Sequence, residues 1–246
     1  MTGSRLFFAC GLRLLLSVVL IAHCAERAWA AGTAFAVDTS EVSEAGSCKI
    51  ESWYSAASNQ DAIGVVNPSC VVELLGRAVE LGAQFVRQRT DEEWATNITP
   101  RVRTKLIPTA IGSFGLAMAG GATFDLATFE ATQVFAYAPA TLRLSEVMRI
   151  NVNAGWLWDG TVDRNYFTYG IGYDWKFTDV LTLTVEAFGQ AGGGDFGATT
   201  EPRFQAGLRY RPVDRFSVDL IYGRNINGEN ANWITLATTI RFPPEK

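Results

Sequence analysis

Residues 166–177 read YFTYGIGYDWKF, and every second residue from Phe167 to Phe177 is apolar or aromatic. The residues between them, among them Thr168, Asp174 and Lys176, are small or polar. This period of two predicts a β-strand with one apolar and one polar face. The stretch is longer than the five or six residues that are about typical of globular sheets. It matches the roughly ten tilted residues of a strand that crosses a membrane.

The same alternation recurs along the chain. In the second half it predicts six strands, within residues 149–159, 166–177, 181–187, 203–211, 216–223 and 233–242. The first half is less regular and predicts six more, within 44–58, 63–72, 73–88, 92–107, 113–125 and 129–144, the last interrupted by Pro139. Because bacterial outer-membrane barrels have an even number of antiparallel strands, we predict an all-β, antiparallel transmembrane β-barrel of about twelve strands.

The connections and the aromatic residues favour the same architecture. Residues 176–179 and 211–215 form tight turns, whereas 159–165, 191–201 and 225–232 form longer loops rich in Gly, Asn and Asp. Short turns on one side and longer loops on the other are typical of the periplasmic and external ends of a barrel. Aromatic pairs such as Trp156 and Trp158 are expected in its interfacial girdles. An exported soluble β-sandwich remains the alternative fold.

The N-terminus has the composition of a secretory signal peptide. Arg5 and Arg13 precede an apolar run over residues 14–22, and Ala28-Trp-Ala30 forms a small-x-small cleavage site, with Ala34-Phe-Ala36 as a second candidate. The predicted organisation is a signal peptide at 1–30, an N-terminal periplasmic segment at 31–43, the barrel at 44–242 and a C-terminal tail at 243–246. A single membrane helix over 106–124 is disfavoured by Pro108 and four glycines.

Loss of the signal peptide removes the chain's one histidine, His23. Without imidazole, Ser-His-Asp and Cys-His nucleophiles and histidine metal ligands are excluded. Glu80 and Glu186 would form an acid–base pair only if they came close together. We therefore expect no enzyme, no cofactor and no metal site.

Export also bears on the two remaining cysteines and on the net charge. Cys48 and Cys70 fall at the same predicted end of the barrel, and in an exported chain they are expected to form one disulfide. Removing three arginines and one glutamate takes the net charge from −4 to −6. An acidic chain offers no basic surface for nucleic acid.

If the apolar residues face lipid, the alternate positions line the lumen. The charged and amide side chains expected there are Glu80, Gln84, Arg101, Arg103, Lys105, Asn151, Asn153, Asp174, Lys176, Glu186, Arg203, Gln205, Arg209, Arg211 and Asp219. They would either select solutes in a water-filled pore or pair into a network that fills a closed interior. Size leaves both open, because about 8 strands are filled by side chains and about 16–18 leave a channel.

The signal peptide, the alternating strands and the closing stretch Leu236–Phe242 resemble a Gram-negative outer-membrane barrel with its C-terminal assembly strand, although Pro243–Lys246 follow the usual terminal aromatic residue. More narrowly, Glu44-Ala-Gly-Ser-Cys48 and Val66-Asn-Pro-Ser-Cys70 resemble the putative outer-membrane transporters called "MetA-pathway of phenol degradation" proteins. The resemblance implies location in the cell outer membrane, contact with its lipid and engagement of the barrel-assembly machinery through the last strand.

The narrow resemblance also implies the passage of small solutes, aromatic or hydrophobic compounds among them. The function predicted from the sequence is accordingly a passive outer-membrane channel with a narrow charged lumen. The alternative is a closed barrel with a structural or surface-binding role through its external loops, none of which exceeds roughly a dozen residues.

Overall fold

A computed structural model of the protein describes residues 34–192, 199–200, 202–227 and 230–243. The predicted signal peptide, the tip of the loop at 193–198 and the last three residues lie outside the described residues. The strands are β1 (Cys48–Ala57), β2 (Ala62–Leu74), β3 (Arg77–Thr90), β4 (Glu93–Ile107), β5 (Phe114–Asp125), β6 (Ala131–Arg143), β7 (Met148–Asp159), β8 (Arg164–Lys176), β9 (Leu181–Gly192), β10 (Thr199–Thr200), β11 (Arg203–Val213), β12 (Phe216–Asn225) and β13 (Asn232–Phe242). Within the described ranges there is no helix, and hence none long and apolar enough to cross a membrane.

The strands form a closed antiparallel ring. Each long strand pairs with its neighbours in the sequence, and the ring closes where β1 pairs with β13, from Cys48 opposite Phe242 to Ala57 opposite Trp233. The two-residue β10 pairs with the end of β9, and β11 pairs with the earlier part of β9, so β10 adds no strand to the ring. Twelve strands therefore surround the lumen, and closure leaves no unpaired sheet edge.

The two faces of the wall are inverted relative to a soluble protein. Large apolar side chains such as Leu81, Phe85 and Leu236 are about half exposed on the outside. Polar side chains such as Ser55, Thr235 and Gln205 are fully buried on the inside. An apolar outer band around a polar interior is the arrangement of a transmembrane β-barrel.

The predicted strands are confirmed, with the boundaries shifted by a few residues. The stretch 106–124 belongs to the end of β4, a turn and most of β5. Pro139 does not interrupt its strand: it pairs with Asn153 of β7, while the pairing with β5 passes from Tyr137 to Ala140. Because proline has no N–H to donate, it is tolerated where the ladder has such a gap.

The end of the barrel that carries both Cys48 and Phe242 is called the terminal end, and the opposite end the distal end. The expected difference in connection length holds only in part. At the terminal end the connection 108–113 has six residues, whereas at the distal end 91–92 has two. The loop expected at 159–165 shortens to 160–163 because Arg164 and Asn165 pair with β7 and lengthen β8.

The predicted disulfide is confirmed. Cys48 and Cys70 face each other across β1 and β2, bonded through their sulfur atoms with their Cα atoms 4.0 Å apart. Next to it the incoming chain is held by backbone bonds from Gly46 to Val71 and from Val71 to Ser47. The disulfide thus lies where the N-terminal chain joins the barrel wall.

Candidate functional site in the barrel lumen

Residues 34–43, which we call the inner segment, run through the interior of the barrel. Val37, Ser40 and Val42 are buried. The segment bonds to side chains of β4, β6, β7, β9 and β11, strands from different parts of the ring. Only a chain inside the ring contacts all of these strands. The sequence analysis placed residues 31–43 in the periplasm, and the structure places 34–42 in the lumen instead.

Glu186 of β9 holds the deepest part of the inner segment. Its carboxylate accepts hydrogen bonds from the backbone N–H of Ala36 (2.9 Å) and of Val37 (3.2 Å). The Gln205 amide donates to the same carboxylate (2.7 Å) and to the carbonyl of Ala34 (3.0 Å). Both side chains are almost completely buried, and these hydrogen bonds compensate the Glu186 carboxylate for its lost hydration.

Asp38 is the most highly connected residue of the inner segment. Its carboxylate lies 3.3 Å from Nη2 of Arg101 and 3.7 Å from Nη1 of Arg103, and it accepts a hydrogen bond from the hydroxyl of Tyr137. With its amide oriented to satisfy both groups, Asn153 donates to the Asp38 carbonyl (3.0 Å) and accepts from the Asp38 N–H (2.8 Å). Four wall residues therefore contact one residue of the inner segment.

Towards the terminal end, the inner segment is held by hydroxyls and by a further ion pair. The Ser40 N–H donates to Oγ1 of Thr141 (2.9 Å), and the Ser40 hydroxyl lies 2.8 Å from that of Thr109. Glu41 lies 2.9 Å from Nη1 of Arg149. The inner segment thus carries two carboxylates, and both bind arginines of the wall.

Small residues of the wall leave room for the inner segment. A Cβ at Gly170 would lie 2.8 Å from Cγ2 of Val37, and one at Gly207 would lie 3.1 Å from the ring of Phe35. That ring also stacks beneath the guanidinium of Arg209, at 5.1 Å, a favourable cation–π contact. These inward glycines of β8 and β11 fit the shape of the segment.

Among the predicted lumen residues of β3 and β4, Glu80 and Arg103 form a network with Lys49 and Glu51 of β1. Glu80 lies 2.7 Å from Nη2 of Arg103 and 3.2 Å from Lys49, which also lies 3.2 Å from Glu51. A cavity of about 20 Å³ is lined by members of this network together with Asp38 and Arg101. That volume holds about one or two water molecules. With the inner segment in place, this cavity beside Asp38 is too small for an organic solute.

Two further networks involve predicted residues. Asp174 accepts from Nε of Arg149 (2.6 Å), from the Asn151 amide (2.9 Å) and from the Thr184 hydroxyl (2.6 Å). Asp219 binds Arg209 through two hydrogen bonds, at 2.6 and 3.0 Å. Each of these buried carboxylates therefore has an arginine of the wall beside it, as buried charges require.

The remaining predicted residues lie apart from these networks. Lys176 pairs with Asp179 at the rim of the terminal end, 3.2 Å away, and Arg203 stands at the distal start of β11. Glu80 and Glu186 bind different partners and are not brought together as an acid–base pair. In the described part of the chain, the side chains of Lys105 and Arg211 form no ion pair, and the Arg241 guanidinium donates to the Ser217 hydroxyl (3.3 Å) but pairs with no carboxylate.

Sequence reasoning missed several residues of the site. Tyr137 and Thr141 share the inward face of β6, and their spacing of four was a usable signal. Lys49 and Glu51 alternate with Ile50 in the same way on β1. Asp38 and Glu41 gave no signal, because the inner segment has neither a strand nor a helix pattern.

The sequence and the fold were compared with known proteins. Residues 19–242 match the family described as "Uncharacterised conserved protein UCP029691". The chain belongs to this family. No curated protein matches the chain significantly. This match does not confirm the resemblance of the two short segments to the "MetA-pathway of phenol degradation" proteins, which stays a prediction.

Solved structures share the barrel. The COG4313 outer membrane channel from Pseudomonas putida F1 has a TM-score of 0.63 at 14% identity, covering 82% of this chain and 97% of that one. The NanC porin has a TM-score of 0.62 at 7% identity, covering 78% and 98%. The KdgM porin in complex with disordered oligogalacturonate has a TM-score of 0.55 at 8% identity, covering 79% and 99%. At these identities the likeness establishes a porin-like outer-membrane barrel fold.

Proposed function

We propose that the protein is an outer-membrane channel for small polar solutes, and that the inner segment closes its charged lumen. The observation that carries the proposal is what occupies the interior. The wall does not fill the lumen with its own side chains: a ten-residue segment, covalently joined to the wall only at the terminal end, occupies it. The likeness to outer-membrane channels and porins supports the same role.

The wall favours polar and anionic solutes over the aromatic ones that the narrow resemblance implies. The inward side chains that contact the inner segment are arginines, amides, hydroxyls and one carboxylate. Near the terminal end, Lys105, Arg211 and Arg241 form no ion pair with any described residue. Unpaired cations along a pore raise the local concentration of anions.

Conduction requires the inner segment to move. The cavity beside Asp38 admits about one or two water molecules, so the path opens only when the segment shifts or leaves. Most of its contacts with the wall are hydrogen bonds and ion pairs, which water or a solute can replace, while Phe35 and Val37 pack against β11 and β8. We therefore expect brief openings of the intact protein rather than a constantly open pore.

Planar-bilayer recording tests the proposal directly. The refolded mature protein is compared with a variant that lacks residues 31–43, and with one in which the same residues are replaced by glycine and serine. The expected result is small or intermittent current steps for the intact protein and sustained steps, several-fold larger, for both variants. Heat-modifiable migration on a gel establishes that each barrel has folded. A folded deletion variant that passes no current contradicts the proposal.

The second candidate is a closed barrel with a structural or surface-binding role. The close fit of the inner segment favours it: Ser40 is fully buried and Asp38 contacts four wall residues. If this candidate is correct, none of the three proteins passes current in the bilayer, including the two variants that lack the native inner segment.

A further inference from the structure

We propose that Arg101, Arg103 and Tyr137 form a binding site for the carboxylate of a small organic acid, and that Asp38 occupies this site in the closed state. The inference rests on the proposed channel function, since a solute reaches the site only through the lumen. In the closed state, the Asp38 carboxylate of the inner segment thus occupies the position that the carboxylate of the ligand takes in the open state.

The three wall groups converge on one carboxylate. Arg101 and Arg103 project from alternate positions of β4, and Tyr137 projects from β6. Arg101 lies 3.3 Å from Oδ2 of Asp38, Arg103 lies 3.7 Å from Oδ1, and the Tyr137 hydroxyl donates to Oδ2. Arg101 also donates to the Tyr137 oxygen, at 2.7 Å. Two guanidinium groups and a hydroxyl on both oxygens are an arrangement that recognises carboxylates.

Four wall carboxylates have basic partners on the wall itself, whereas Arg101 has no carboxylate partner there. Glu51 and Glu80 have Lys49 and Arg103, Asp174 has Arg149, and Asp219 has Arg209. Across the described residues, Arg101 has Asp38 as its one ion-pair partner. When the inner segment leaves, Arg101 loses the carboxylate that it shares with Arg103 and Tyr137, and Arg143, 4.0 Å from Glu41, loses its own partner near the terminal end of β6. An unpaired guanidinium inside a narrow lumen attracts an anion to replace it.

The neighbouring groups define what else the ligand carries. Asn153 binds the N–H and the carbonyl of Asp38 through its amide. When the inner segment is absent, the same Asn153 amide can bind a hydroxyl or amide group next to the carboxylate of the ligand. The cavity of about 20 Å³ excludes any organic acid while Asp38 is bound. Ligand and inner segment therefore compete for one site, and the ligand class is a small carboxylic acid with a hydrogen-bonding substituent.

Lactate tests the site, with lactamide as the uncharged control of nearly the same shape. Binding is measured by titration calorimetry on the folded variant that lacks residues 31–43, in detergent, so that the site is free of the inner segment and the result does not depend on conduction. We expect saturable binding of lactate and none of lactamide. Adding Arg101→Gln should weaken lactate binding at least about thirtyfold, the typical effect of truncating a hydrogen-bonded charge partner. The matched control is Arg87→Gln, an arginine on the outer face stacked on Trp94, which should change nothing.

The outcomes separate this inference from the proposed function. Equal binding of lactate and lactamide, no binding of either, or binding that is insensitive to Arg101→Gln overturns the carboxylate site even if the channel conducts. Lactate binding to a barrel that never conducts supports the site and contradicts the channel. If the deletion variant does not fold, the variant with glycine and serine at 31–43 takes its place, because it also leaves the whole wall unchanged.

Discussion

At the scale of single residues, the closed state depends on a few wall side chains that bind the backbone of the inner segment. Glu186 is the clearest case. Its two carboxylate oxygens face three N–H donors, those of Ala36, Val37 and the Gln205 amide. No hydroxyl or cation is among its hydrogen-bond donors, so only an acceptor with two oxygen atoms satisfies the site.

We predict that Glu186→Gln loosens the inner segment. Whichever way the new amide is turned, its NH₂ group faces at least one N–H donor, and a hydrogen bond to a charged group is lost. Such a bond contributes about 1.5 kcal/mol or more, which corresponds to roughly a tenfold shift towards the open state. The measurement is open probability in a planar bilayer, with the exposed Glu73→Gln as control. Unchanged open probability in a folded Glu186→Gln barrel would argue against this anchor.

At the scale of elements, the twelve wall strands could be predicted from the sequence and the inner segment could not. The alternation in stretches such as 166–177 depends on one local property, that lipid lies on one side of a strand and water or polar groups on the other. Residues 34–43 have no such periodicity. Their course follows from contacts with residues up to 171 positions away, and no local pattern encodes these.

The same difference applies within the site. Arg101, Arg103 and Glu186 were predicted to line the lumen because they alternate with apolar residues on their strands. That Arg101 and Arg103 converge on Asp38 depends on the register of β4 against β6 through β5, together with the path of the inner segment. The sequence analysis proposed no such register for the first half of the chain.

The junction between the inner segment and β1 depends on the Cys48–Cys70 disulfide. We predict that Cys48→Ser with Cys70→Ser still closes into a barrel but unfolds more easily. A crosslink between residues 22 positions apart stabilises by about 3 kcal/mol through the entropy of the unfolded chain. The measurement is the temperature at which the compact gel band converts to the unfolded one. The unchanged protein with reductant should match the double variant, and equal conversion temperatures with and without the disulfide would refute the prediction.

At the scale of the whole molecule, the barrel is an apolar outer band around a polar interior. Leu236, near the middle of β13, is 55% exposed on the outer face, where lipid is expected. We predict that Leu236→Arg destabilises the barrel in lipid vesicles by about 2–4 kcal/mol, the cost of an arginine near the midplane. Leu75→Arg is the control, since Leu75 is 95% exposed in a turn at the terminal end. Equal denaturant midpoints for the two variants would contradict an embedded outer face.

The central claim is that the inner segment closes the lumen, and a reversible lock tests it most directly. A Cβ at Gly172 would lie 3.4 Å from Cβ of Val37, close to the roughly 3.5–4.5 Å of a disulfide. Val37→Cys with Gly172→Cys should therefore fix the segment to the wall when oxidised. Each single variant and the unchanged protein receive the same reductant, because reduction also opens Cys48–Cys70. In a planar bilayer we predict almost no current from the oxidised double variant and a several-fold rise on reduction. Equal conductance of the locked and the reduced barrel would contradict the account.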